Sequence, residues 1–203
     1  MKRKCIAILL TLSLLAGCLL GFSTSAGALY YNQGQKLARV ITDEGLVLLK
    51  NENQALPIAP GATVALFGDA QRMGPKDEDF WNKRGYIAYG YGSESQAGDF
   101  GDKAIDPLEA LLQAEQNGEV ALYHPTSDKY VEALMKGETY IPTDDEVKAA
   151  AKKAETAVCF FSRWGGEAFD VSRADWYLRD YEKALLTQLT ARFTLSIYLF
   201  QGR

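Results

Sequence analysis

Apolar runs too continuous for half-exposed strands recur along this chain, and they constrain its architecture more than any other feature. "LVLLK" (46–50), "TVALFG" from Thr63 to Gly68 and "TAVCFFS" from Thr156 to Ser162 lack an alternation of apolar and polar residues. "EVALYH" (119–124) reads as a shorter strand, and "TLSIYLF" (194–200) as a closing one. A strand that is apolar on both sides must be covered on both sides, which is the condition of a parallel sheet with helices on its two faces.

The segments between the runs supply those helices. In "NQGQKLARVITDEG" (32–45), Leu37, Val40 and Ile41 fall at helical spacing and Gly45 stops the pattern. "DPLEALLQAEQNG" offers Asp106 as N-cap and Pro107 at the first helical position, with Leu108, Leu111 and Leu112 on one face. "SDKYVEALMKG" (127–137) is amphipathic, and Thr143 and Glu146 have capping-box spacing ahead of Val147, Ala150, Ala151 and Ala154. A last helix spans about Asp180 to Arg192, with Tyr181, Leu185 and Leu189 as its buried face. The expected fold is a three-layer αβα sandwich with a mainly parallel sheet, in which ligands bind beyond the carboxyl ends of the strands.

Composition excludes several classes. At 47% hydrophobic and 24% charged residues, the chain has the makeup of a folded domain rather than a disordered one. Lys2, Arg3 and Lys4 precede an apolar run from Ile6 to Phe22 and the small-residue stretch "STSAGA", the layout of an export signal over residues 1–28. Two processing sites compete there: Ala26-Gly27-Ala28, and a lipobox at Leu15-Ala16-Gly17-Cys18 whose Cys18 would be lipidated. The apolar residues after Cys18 favour simple secretion, and a membrane would be met only through that lipid. The formal net charge of −4 becomes −7 for residues 29–203, because the leader holds three basic residues and no acid. Such a surface repels nucleic acid. Cys159 is the one cysteine after the leader and His124 the one histidine, so no disulfide framework and no Cys/His metal cluster is expected, and no cofactor. Placed between Tyr123 and Pro125, His124 reads as a structural residue at a strand end.

Two segments stand where ligands bind in such a sheet. Residues 69–103, with "RGYIAYGYGSESQAGDFGD" at their centre, form either a surface excursion or a loop lining a site with Tyr89, Tyr91 and Ser93. "SRWGGEAFD" (162–170) follows an apolar run and sets Glu167 between two glycines and the aromatic residues Trp164 and Phe169. Glu167 is either a solvated loop residue or a general acid whose pKa the aromatic surroundings would raise.

Several stretches in register resemble the α/β sandwich ("C-terminal") domain of glycoside hydrolase family 3, the family of β-glucosidases and related exo-acting enzymes. They are "DEGLVLLKNENQALPI", "TVALFGD", "DPLEAL" and the block "AETAVCFFSRWGGEAFD...WYLRDYEKALL", covering roughly residues 33–193. The resemblance implies a retaining glycosidase, with a nucleophilic aspartate on a barrel domain and a separate acid/base carboxylate. It carries the acid/base onto Glu167, within the family's Gly-Glu-Gly-x-Asp-Arg pattern. Here Ala168 replaces the second glycine, and Asp170, Val171, Ser172 and Arg173 replace the Asp-Arg pair. Trp164, Phe169, Asp170, Arg163, Tyr91 and Ser93 are the expected sugar-binding residues, though Asp170 also suits a cap and Arg163 an ion pair. Lys50 and Glu52 are expected to pack the sheet against the barrel.

The implied substrate is a β-linked glucoside or oligosaccharide. The implied partner is the barrel domain, absent from this sequence. A sandwich directly after an export signal resembles the start of a reversed-order family member, and the sequence departs from the family pattern after about Phe193. The expectation is therefore a truncated or frameshifted product, incomplete at its C-terminal end, inactive and marginally stable by itself. An exported carbohydrate-binding module is the alternative. A flavodoxin-like nucleotide domain is disfavoured, because no Walker lysine or Gly-x-Gly-x-x-Gly turn follows the second run.

Overall fold

A computed structural model of the protein describes residues 33–34, 36–74, 85–86, 105–163 and 172–201. The chain divides into a unit over 1–50 and a unit over 51–203.

In the first unit, residues 36–45 are helical and end at Gly45, as the spacing predicts. The strand expected at 46–50 does not form. The segment has no regular secondary structure, and Leu46, Val47, Leu48 and Leu49 are 65–86% exposed. Apolar content alone does not make a strand: among the described residues the ladder includes none of 46–50, whereas β1 (Thr63–Phe67) pairs with a parallel neighbour on each edge.

The second unit begins in a turn held by Asn51, whose amide donates to the Leu56 carbonyl (2.9 Å) and accepts from the Leu56 N–H (3.1 Å). The "KNEN" stretch thus leads into a turn, in which the Ala55 N–H donates to the Glu52 carbonyl (3.2 Å). From there the order is β1, α1 (Pro107–Gln116), β2 (Ala121–Tyr123), α2 (His124–Met135), α3 (Asp144–Ala151), β3 (Thr156–Ser162), α4 (Asp180–Arg192) and β4 (Leu195–Gln201). The four strands are all parallel and lie in the order β2-β1-β3-β4.

Side-chain alternation sorts the core into two layers. Ala65, Phe67, Ala157, Cys159 and Phe161 meet Tyr130 of α2, Val147 and Ala150 of α3, and Leu185 and Leu189 of α4. Val64, Leu66, Val158, Phe160 and Ile197 meet Leu108, Leu111 and Leu112 of α1 on the opposite face. Covering both faces is why β1 and β3 are apolar at every central position.

Local signals act where the sequence places them. The Asp106 carboxylate accepts from the Glu109 N–H (2.8 Å), capping α1 ahead of Pro107. At α3 both halves of the capping box form, with the Thr143 N–H donating to Glu146 at 2.7 Å and the Glu146 N–H donating to the Thr143 hydroxyl at 3.3 Å. Lys129 also bonds Glu146. Together the Lys129 hydrogen bond and the Thr143 backbone N–H hold the Glu146 pKa down, to about 2.

Two helices differ from expectation. His124 opens α2 instead of ending β2, because Pro125 in the first turn has a backbone angle already suited to a helix. Its ring bonds Glu115 of α1 (3.2 Å), and the same carboxylate accepts from the Leu122 N–H (2.7 Å). On α4 the buried positions are Glu182, Leu185 and Leu189, while Tyr181 is half-buried. Glu182 displaces Tyr181 because a cation inside the fold draws it inward.

Candidate functional site

β1 and β3 are adjacent, yet the chain leaves them toward opposite faces, β1 to α1 and β3 to α4. Such a divergence opens a crevice outside the carboxyl ends of the two strands. The described residues at this edge are braced by hydrogen bonds from both sides.

Beyond β1 the chain turns at Gly68, whose φ is +83°, and a Cβ there would lie 2.1 Å from the Phe160 carbonyl oxygen. A side chain is therefore excluded by backbone approach as well as by conformation. Gln71, wholly buried, donates to the Gly68 carbonyl (2.7 Å) and accepts from the Ser127 hydroxyl (2.6 Å), tying the turn to α2. Asp106 completes the support: it accepts from the Met73 N–H (3.1 Å) and pairs with Arg72 (3.4 Å), besides capping α1. Leaving such a buried carboxylate with fewer partners would be costly, which is why one residue serves both the cap and the turn.

Residues 85–86 return to the same edge. The Tyr86 N–H donates to the Arg72 carbonyl (2.8 Å), and Gly85 accepts from the Ser162 hydroxyl at the end of β3 (2.9 Å). The segment after β1 thus reaches across to β3.

Beyond β3 stands Arg163. Its guanidinium makes a two-pronged pair with Glu182, through Nη1 at 3.0 Å and through Nη2 to the second carboxylate oxygen, and Nη2 also donates to the Tyr177 carbonyl (3.1 Å). Glu182 accepts in addition from the Arg179 N–H (2.7 Å). The side chains are 14% and 7% exposed. Within the fold Arg163 thus acts as an ion-pair residue joining the end of β3 to the start of α4. In the core, burial pushes the Cys159 thiol and the Tyr130 hydroxyl well up from their usual pKa ranges, so both stay uncharged.

Trp164, Glu167, Phe169, Asp170, Tyr89, Tyr91, Ser93 and Cys18 lie outside the described residues. Of the expected site residues, the structure places Arg163. Sequence reasoning missed Gln71, Glu182 and Gly68, and it saw Asp106 only as a cap. For Glu182 the available signal was its position three residues after Arg179, the spacing at which a carboxylate reaches back to a helix start.

A family model described as the glycosyl hydrolase family 3 C-terminal domain matches residues 46–202. The chain belongs to this family. Family 3 relatives include a probable β-glucosidase L from Emericella nidulans, 29% identical over 138 residues, and β-glucosidase A from Butyrivibrio fibrisolvens, 29% identical over 159 residues. These alignments cover 66% and 71% of this chain but 16% and 17% of the relatives, so the chain spans about a sixth of their length. Among solved structures, β-glucosidase 3B from Thermotoga neapolitana, in complex with α-D-glucose, is similar with a TM-score of 0.65 and 26% identity, covering 83% of this chain and 24% of that one. A β-glucosidase from Paenibacillus barengoltzii, at 22% identity and a TM-score of 0.57, shares the fold over 77% of this chain and 17% of its own. The sequence resemblance to the family 3 sandwich domain is thereby confirmed.

Proposed function

We propose that the chain is the sandwich-domain part of a secreted β-glucosidase-like enzyme, with Glu167 as the acid/base of a retaining mechanism. The observation that carries this reading is the anchored end of β3: Arg163, fixed to Glu182 and Tyr177, delivers the chain at the crevice edge immediately before the segment that holds Glu167. A retaining enzyme needs a second carboxylate as nucleophile, which the family resemblance assigns to a companion barrel domain. The relatives' names supply the substrate class, a β-linked glucoside. Arg163 then acts as a positioning residue at the base of the loop, and Trp164 and Phe169 supply the sugar-stacking surface.

The full chain should release no nitrophenol from an aryl β-glucoside. Combined with a family 3 barrel domain carrying the nucleophile it should do so, and Glu167→Gln should lower that rate by about a hundredfold or more. Turnover by the chain alone, or an unchanged rate in the Gln variant, would overturn the proposal. Saturable binding of glucose or cellobiose without turnover in the combined system would assign a non-catalytic carbohydrate-binding module instead. Export follows from the leader, and the N-terminal residue of the mature protein distinguishes release after Ala28 from lipidation at Cys18.

A further inference from the structure

One peptide group joins the two segments that leave the sheet at the crevice. The Gly85 carbonyl accepts from the Ser162 hydroxyl at the end of β3 (2.9 Å), and the N–H of the same peptide group, on Tyr86, donates to the Arg72 carbonyl (2.8 Å). Met73 and Gly85 form an antiparallel bridge, which sets the register between the segment after β1 and the one that returns to it. Gly85 is buried with φ at +84°, and a Cβ there would lie 2.3 Å from the Arg72 carbonyl oxygen. Only glycine lets the peptide come this close.

Ser162 is the polar end of an apolar stripe. It follows Val158 and Phe160 on the face of β3 that meets α1, because alternate strand residues share a face. Without its hydroxyl the buried Gly85 carbonyl loses that donor, and the Tyr86 bond weakens as well, since hydrogen bonds at the two ends of one peptide group polarise each other. The connection extends on both sides: Asp106 at the start of α1 accepts from the Met73 N–H (3.1 Å), and Arg163, next to Ser162, is paired with Glu182 at the start of α4. The chain therefore enters the segment that holds Glu167 restrained from two directions. That restraint matters because a general acid acts only within hydrogen-bond reach of the leaving oxygen, and a misplacement of about 1 Å costs about a hundredfold in rate.

Given Glu167 as the acid/base, on which this inference rests, we propose that Ser162 is a positioning residue for proton transfer to the leaving group. Its bond to Gly85 fixes the entry of the Glu167 segment against the segment that follows β1.

Leaving-group dependence tests this in the full chain combined with a family 3 barrel domain. There kcat/KM reports formation of the glycosyl-enzyme intermediate, for which cellobiose must receive a proton at its leaving oxygen, whereas dinitrophenyl β-glucoside releases a stable phenolate unaided. Ser162→Ala should lower kcat/KM about tenfold for cellobiose and less than about threefold for the dinitrophenyl glucoside, and Ser162→Thr, which keeps the hydroxyl, should restore the cellobiose value to within about threefold. Equal losses on both substrates would mean a merely structural role and overturn the proposal. Glu167→Gln separates that outcome from failure of the acid/base reading: it should show the same split at larger size, and no split there rejects the reading and this role with it. Hydrogen exchange on the full chain decides independently of turnover. Ser162→Ala should speed exchange of the Tyr86 amide about tenfold or more relative to the Leu66 amide of β1, and unchanged exchange rejects the tether.

Discussion

"LVLLK" at 46–50 and "TVALF" at 63–67 are equally apolar and stand a short turn apart, yet their fates are opposite. Val64 to Phe67 are wholly buried at the centre of the sheet, whereas Leu46 to Leu49 are exposed and irregular. Apolar content gives a segment reason to leave water; only a neighbouring strand can take up its N–H and C=O groups. β1 has such neighbours on both sides. What distinguishes the two runs is therefore the pairing that β1 makes on both of its edges, a property of the assembled sheet and of neither sequence.

Truncation at the two runs separates them most strongly. Phe67→Ala should destabilise the chain by about 3–5 kcal/mol in urea unfolding, since Phe67 fills the core against Phe193. Leu48→Ala should change it by no more than about 0.5 kcal/mol. A comparable cost at both sites would show that 46–50 is packed in solution.

The crevice edge offers a sharper test, because there buried groups depend on ionic partners instead of packing. Arg163→Ala should cost about 3 kcal/mol by leaving the Glu182 carboxylate buried without its cation. Removing Glu182 as well should recover part of that loss, and a double-mutant cycle showing purely additive effects would break the brace.

A smaller effect than at Arg163 belongs to Glu146, whose bonds lie nearer the surface. Its folded pKa of about 2 lies below the ordinary 4.5 of a glutamate side chain, so its contribution is complete above the unfolded pKa and disappears as pH falls from about 4.5 to 2. Glu146→Gln should cost about 1 kcal/mol at neutral pH and flatten the acid limb of the stability profile. An acid limb unchanged in the variant would assign that dependence to other carboxylates.

Signals that act within a few residues were legible in the sequence. Asp106 followed by Pro107, and Thr143 with Glu146, announce helix starts because the groups they satisfy are their own near neighbours. The parallel sheet was legible as well, since burial on both faces leaves no polar alternation in β1 and β3. His124 was misplaced because its flanking residues suit either a strand end or a helix start. Gln71 was invisible, as its partner Ser127 lies far along the chain.

By itself, then, the sequence determined the alternation of strands and helices, their caps and the family 3 kinship, all carried by local pattern. The tertiary structure alone decided which apolar run joins the sheet and why Glu182 is buried. Those outcomes depend on partners distant in sequence, whose positions exist only once the ladder and the two helix layers have formed.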